Sequence, residues 1–217
     1  MIKACIFDAF GTLFKMALPH NIAHDPQAQE ILSICRQKQL EYTWLYSLMG
    51  KYESFDTITQ MALDFGFKNA AVDNQELQEI LQAAFFTPVY FEDVPDTLEM
   101  IKNKGLQRAI LSNGSPKMLS EVVSHTQLQL HFEAVLSVDT VQMFKPSPKV
   151  YQMALNQLAL TKNEVLFLSS NQWDVAGAHS FGLQTAWINR SGKTQEPIIL
   201  KPGIEVLSNL TQVRHLI

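Results

Sequence analysis

Cysteine, basic clusters and long apolar runs are all scarce in this sequence, and each shortage removes a class of protein. The two cysteines in 217 residues, Cys5 in an apolar stretch and Cys35 in a helical pattern, make no disulfide framework and suit a reducing compartment. Lysine and arginine number 17 against 21 acidic residues, a net charge of −4 with no basic run, so no nucleic-acid partner is expected. No stretch approaches membrane-spanning length, and the opening run Ile2–Phe7 lacks the basic start and the length of a signal peptide. The expectation is a soluble, cytoplasmic protein without a membrane partner. Histidine is present six times but falls in no motif, and His20 and His24 read as solvated residues of a connector, so no histidine base and no metal site are assigned. There is no internal repeat and no low-complexity segment. What remains, 47% hydrophobic and 18% charged, is ordinary globular composition. The length suits either one core burying roughly 70% of its unfolded surface or a core domain with a smaller insert.

The organising stretch is Ala4-Cys5-Ile6-Phe7-Asp8-Ala9-Phe10-Gly11-Thr12-Leu13, a short buried strand that ends on a carboxylate and turns at a glycine. In an open parallel α/β sheet, ligands sit beyond the carboxyl ends of the strands, which puts Asp8 at the mouth of a site. Asp is also common after strands as a capping residue, so this segment alone leaves capping and catalysis open.

Along the chain, residues 14–26 read as a connector, and Gln27 to about Phe86 as helical. Ile31, Ile34, Cys35, Gln39, Tyr42, Leu45 and Met49 recur at spacings of three and four, and further helices fit Thr57–Phe65 and Asn74–Phe86. The later half alternates: helix Thr97–Lys104 stopped by Gly105, strand Ala109–Ser112, a turn and helix through Val123, strand Ala134–Ser137, helix Val150–Leu158, strands Val165–Ser169 and Thr185–Ile188. Arg190–Ile204 reads as loop, with a last helix or strand fragment near the end. The alternation predicts βαβ units and a parallel sheet, an α/β Rossmann-like core at 1–14 and 92–217 with a helical cap subdomain inserted at 15–91.

Four predicted strands finish on polar groups: Asp8, then Ser112 with Asn113, then Asp139, then Ser169 with Asn171 and Asp174, while Lys145 follows the third strand. In a parallel sheet these ends lie side by side and can converge on one pocket. A lysine among them would keep the carboxylates ionised. By spacing alone Lys145 reads rather as a surface lysine before a proline.

Set in order, these segments resemble the haloacid dehalogenase superfamily. Phe7-Asp8-x-Phe10-Gly11-Thr12-Leu13 resembles its first motif, Ser112-Asn113-Gly114 its second, and Lys145-Pro146 its third. Ser169-Ser170-Asn171-Gln172-Trp173-Asp174 is similar to the fourth as found in L-2-haloacid dehalogenases, and Arg36 through Leu45, Leu111 through Pro116 and Trp187 through Arg190 match that subfamily too. The resemblance implies hydrolytic dehalogenation of short L-2-haloacids to 2-hydroxy acids through an aspartyl ester, with no cofactor or metal. It implies Asp8 as nucleophile held by Thr12, Lys145 and Asp174 supporting it and activating water, and Ser169 and Asn171 orienting them. Ser112 and the amides after it would bind the substrate carboxylate, Arg36 and Asn113 would take the halide ion, and Tyr151 would be an active-site tyrosine. Phe10, Leu40, Phe55 and Trp173 would line the pocket for the alkyl part. A homodimer is a further expectation from the resemblance.

Most members of the superfamily transfer phosphoryl groups and place a second aspartate two residues after the nucleophile as general acid. That position here is Phe10, and a positioned acid is worth roughly 10²–10⁴ in rate. A halide leaves without a proton, so dehalogenation loses nothing by it. The alternatives are a diverged phosphatase or other hydrolase, or a non-catalytic binding protein on the same fold. Three departures stand out: Phe10 replaces the usual tyrosine, the connector between Phe14 and Arg36 is short, and Tyr46 replaces a residue that is often arginine.

Overall fold

A computed structural model describes residues 1–217. In chain order its main elements are β1 (Ala4–Phe7), β2 (Phe14–Lys15), α1 (His20–Ala23), α2 (Pro26–Leu48), α3 (Phe55–Asn69), α4 (Gln75–Ala83), β3 (Val89–Tyr90) and α5 (Val94–Asn103). They continue with β4 (Gln107–Ser112), α6 (Pro116–His125), β5 (Ala134–Ser137), α7 (Pro148–Leu158), β6 (Val165–Ser169), α8 (Gln172–Phe181), β7 (Gln184–Ile188) and β8 (Ile204–Leu207), with short 3-10 turns between some of them.

Every residue of β1 and β6 is buried, as continuous apolar runs such as Ala-Cys-Ile-Phe and Val-Leu-Phe-Leu must be when a parallel sheet is covered on both faces. The six long strands form one parallel sheet in the order β5-β4-β1-β6-β7-β8. Strand β1 lies in the middle, Phe7 opposite Ile110 on one side and Leu168 on the other. The chain first builds outward through β4 and β5, then returns to lay β6 against the free side of β1. The reversal between β1 and β6 opens a crevice beyond their carboxyl ends, the doubly wound arrangement in which ligands bind at the switch point.

The helical insert forms because its segments carry both caps and stripes. Asp25 accepts hydrogen bonds from the amides of Gln27 and Ala28, and Pro26 opens the first turn of α2. The buried positions of α2 are Ala28, Ile31, Cys35, Gln39 and Thr43, one face at helical spacing. That face meets α3 so closely that a Cβ on Gly66 would stand 3.0 Å from the Ile31 carbonyl oxygen. Ala28, Ile31, Cys35, Ala62, Leu63, Phe67, Leu77 and Leu81 form an apolar cluster separate from the main core, whereas Phe55 and Ile58 pack into the main core. The two-stranded antiparallel ribbon of β2 and β3 stands at both joins of the insert.

The fragment expected near the end, left open between helix and strand, is a sixth parallel strand, β8, which pairs Ile204–Leu207 with Thr185–Ile188; holding a glutamate and with half its residues exposed, an edge strand does not announce itself by hydrophobicity. Two expectations need correction. Residues 14–26 hold β2 and α1 rather than plain connector. The apolar periodicity of α2 also outruns its burial, since Leu45, Leu48 and Met49 are exposed at its end. No helix is long and apolar enough to cross a membrane.

Candidate active site

Strand β1 delivers Asp8 to the switch point, and its backbone amide still donates to Leu168 O of β6 at 2.9 Å. Gly11, at φ +87°, turns the chain back so that Thr12 returns to the carboxylate. Thr12 Oγ1 donates to Asp8 Oδ2 at 3.1 Å and accepts from the Ser170 amide at 2.8 Å, tying the first loop to the one after β6. Asn171 Nδ2 is a second donor to Oδ2, at 2.9 Å. Asp8 Oδ1 takes the ammonium of Lys145 at 3.1 Å, and the same nitrogen reaches Asp174 Oδ2 at 2.9 Å. A lysine with no exposed surface is no surface lysine; the two carboxylates and the Phe167 ring, 5.2 Å away, surround its ammonium.

The electrostatics follow from burial and pairing. Burial pulls the Lys145 ammonium down, but Asp174 and Asp8 outweigh it, and the net shift is upward from 10.5. Burial raises the Asp174 carboxyl to about 6 against the pull of Lys145, with Asp8 adding to the rise. Tyr151 donates to Asp174 Oδ1 at 2.8 Å; burial, with Asp174 beside it, pushes its phenol well above 10, so it stays a donor. Burial lowers Arg36, Asp8 works against that, and Nη2 donates to Asn171 Oδ1 at 3.2 Å. Burial lifts Cys5 and Cys35 to about 12, so neither thiol is a nucleophile at neutral pH.

Other expected residues surround this centre. Asp8, Phe10, Arg36, Phe55, Ser112, Asn113, Gly114, Asn171 and Trp173 enclose a small cavity of about 20 Å³. Asn113 Oδ1 is occupied by the Lys145 amide at 3.0 Å, which leaves Nδ2 as its donor to a ligand. The Gly114 amide is spent on Ser112 Oγ at 3.1 Å, so the serine hydroxyl proton, not that amide, is free for a bound anion. Ser169 Oγ accepts from the Asn171 amide at 3.1 Å, orienting the asparagine without touching Asp8 itself. Trp173 meets α2 through an edge contact with Trp44, ring centres 5.8 Å apart. Leu40, one turn beyond Arg36 on α2, lines neither this cavity nor the wider cleft beside it.

Asp139 does not join the cluster. It accepts a hydrogen bond from Tyr52 of the insert, and Tyr52 stacks on Phe144, ring centres 5.1 Å apart. On the other side of Phe55, Asp56 accepts from Ser115 Oγ at 2.9 Å. The segment 52–56 thus fastens the insert to two core loops with Phe55 between the fastenings. Sequence reading passed over Tyr52 and Phe167, because an aromatic in a loop or a strand reads as packing until its partner is known, and over Asp56, because an acidic residue in the first turn of a helix reads as ordinary.

A doubly wound parallel sheet with a lysine bridging two buried carboxylates at its switch point defines an α/β protein of the open-sheet class with its candidate site at the strand ends. Comparison with known proteins narrows this: the chain belongs to the haloacid dehalogenase-like hydrolase family, which it matches over residues 2–182. It is 42% identical over 214 residues to the (S)-2-haloacid dehalogenase of Pseudomonas sp. (strain YL), covering 95% of this chain and 91% of that one. It is 38% identical to (S)-2-haloacid dehalogenase 4A of Burkholderia cepacia, over 90% of this chain and 86% of the relative. Among solved structures, the L-2-haloacid dehalogenase from Xanthobacter autotrophicus with chloropropionic acid covalently bound superposes with a TM-score of 0.87 at 33% identity, covering 100% of this chain and 98% of that one.

Proposed function

We propose that this chain hydrolyses short L-2-haloacids to 2-hydroxy acids through an ester formed on Asp8. The observation that carries the reading is the pairing of Asp8 with a buried lysine in a site that offers no proton donor where a phosphate ester would need one. Asp8 attacks the halogen-bearing carbon from the side opposite the halogen; the carbon–halogen bond breaks with its electron pair, and the configuration inverts. Arg36 and Asn113 Nδ2 are donors fixed where the halide collects charge. Ser112 holds the substrate carboxylate, and Phe10, Phe55 and Trp173 face the alkyl part.

Water then adds to the carbonyl carbon of the ester. Asp174, an anion above about pH 6, takes the proton from that water, while Lys145 and Tyr151 hold it in place. Thr12 and Asn171 direct two donors at Asp8 Oδ2, which suits them to the oxyanion of this step. Collapse breaks the bond between the ester carbonyl carbon and the substrate's 2-oxygen; protonated Asp174 returns its proton to that oxygen, the 2-hydroxy acid leaves, and the remaining water proton passes to solvent so that Asp8 is again an anion.

A magnesium-dependent phosphatase fits the same residues poorly. The Lys145 ammonium sits between the two carboxylates that a hard cation would need, and Phe10 cannot protonate a leaving alkoxide. Residues 15–91 act as a cap over a core of 1–14 and 92–217. Exposed Leu45 and Leu48 on α2, with Met49 just beyond it, suit contact with a second copy of the chain. The free, buried cysteines suit the cytoplasm.

Chloride release from L- and D-2-chloropropionate, with EDTA present, tests the reading. Release from the L-enantiomer alone, undiminished by EDTA and lost in Asp8→Asn, is expected. Equal turnover by Asp8→Asn would remove Asp8 as the attacking group.

A further inference from the structure

The cavity at Asp8 has room for roughly one water-sized group, and a second compartment adjoins it. Phe10, Arg36, Phe55 and Asn171 also line a cleft of about 450 Å³ between insert and core. Ser112, Asn113 and Gly114 line the inner cavity only. These four shared residues therefore form a frame between two compartments. A 2-haloacid with its carboxylate at the Ser112 end and its second carbon at Asp8 would have to send a longer tail past these four residues into the cleft.

The cleft has its own chemistry. Phe14, Met16, Phe85, Pro88 and Phe91 give it an apolar wall suited to methylene groups. Its charged lining residues are Lys15, Arg36, Arg190 and Lys193, with no aspartate or glutamate, on a chain whose net charge is −4. Arg190 is already committed: it pairs with Asp93 at 2.9 Å and stacks on Phe91, 4.1 Å from the ring centre. The Lys15 ammonium stands over the same ring at 5.6 Å, and neither Lys15 nor Lys193 takes part in an ion pair. Exposed lysines are ordinary on a protein surface. Two of them lining an apolar passage that leads to a nucleophile, with no carboxylate on its wall, match a particular ligand: an aliphatic chain ending in an anion.

We propose that the cleft is a second substrate compartment, in which Lys15 and Lys193 select 2-haloacids whose tail ends in a carboxylate, that is, 2-halo dicarboxylic acids. The inference rests on the dehalogenase reading and adds the substrate class to it. Chemistry at Asp8 is unchanged: the halide leaves, the ester forms, and water returns a 2-hydroxy dicarboxylate.

The test compares chloride release from (S)-2-chloroadipate and (S)-2-chlorohexanoate, acids of equal carbon count that end in a carboxylate or a methyl group, with (S)-2-chloropropionate as reference. At low salt kcat/KM for the chloroadipate should exceed that for the chlorohexanoate by about threefold or more, each exposed lysine contributing modestly. The ratio should fall to about one in the Lys15→Gln/Lys193→Gln double variant, and also in wild type at about 0.5 M salt, where exposed charges are screened. A wild-type ratio at or below one, or a higher ratio that the double substitution leaves in place, overturns the proposal. Release from the chloropropionate alone overturns the second compartment and leaves the dehalogenase reading standing; release from none of the three acids overturns both.

Discussion

Lys145 is the residue on which the electrostatics of the site turn, because it alone neutralises two buried carboxylates. Lys145→Met leaves both unpaired, and we expect a stability loss of about 3–5 kcal/mol, measured by urea unfolding, with chloride release down at least about 10²-fold. Lys145→Arg should not rescue activity, since the ammonium lies in a fully buried space and a planar fork needs different geometry. Asp174 sets the pH dependence. Its folded pKa of about 6 lies above the ordinary 3.8, so between about pH 4 and pH 6 the folded chain keeps a proton that the unfolded chain has shed. This group's contribution to stability therefore declines as pH rises through that window. Water activation needs the anion, so kcat should fall on the acid side with a midpoint near pH 6, and Asp174→Asn should abolish turnover of the ester. A flat profile from pH 5 to pH 8 would remove Asp174 from the rate-limiting proton transfer.

Among the elements, α8 and the segment 52–56 hold the site in shape. A Cβ on Gly177 of α8 would lie 2.3 Å from Pro146 Cβ and 2.7 Å from the Tyr151 hydroxyl, so Gly177→Ala must displace the residue next to Lys145 or the phenol that holds Asp174. Overpacking of this kind costs roughly 1–3 kcal/mol. Thermal unfolding should show that loss, accompanied by a lower kcat. Tyr52→Phe removes the hydrogen bond to Asp139 while keeping the ring on Phe144. We expect KM for L-2-chloropropionate to rise about fivefold with kcat within about twofold, the pattern of weakened binding rather than slowed chemistry. At this scale the sequence was readable where a strand or helix carries its own punctuation. Ser112 and Ser169 end their strands and Pro116 opens its helix as expected, while the helix expected from Val150 starts two residues earlier, at Pro148. Edge strand β8 has no apolar run to mark it, and helix α8 is marked at its end alone, by Gly182 at φ +102°.

For the molecule as a whole, the order of four motifs along the chain was enough to bring Asp8, Ser112, Lys145 and Asp174 to one end of a parallel sheet, because parallel strands put their carboxyl ends on the same side. Pairing across the insert was not legible. That Tyr52 would claim Asp139, that Gln39 would line the outer cleft and Leu40 would not, depend on how α2 and α3 lie on the core, which no spacing encodes. The same limit applies to Phe10, whose type excludes a proton donor but whose place, lining both compartments, emerges only from the packing. The central claim is that Asp8 itself is alkylated and released by water attacking its own carbonyl carbon. A single turnover of L-2-chloropropionate in heavy-oxygen water, with enzyme in excess, tests it most directly, by mass spectrometry of both the lactate and the peptide carrying Asp8. The account predicts unlabelled lactate and one heavy oxygen in Asp8; labelled lactate with Asp8 unchanged would contradict it.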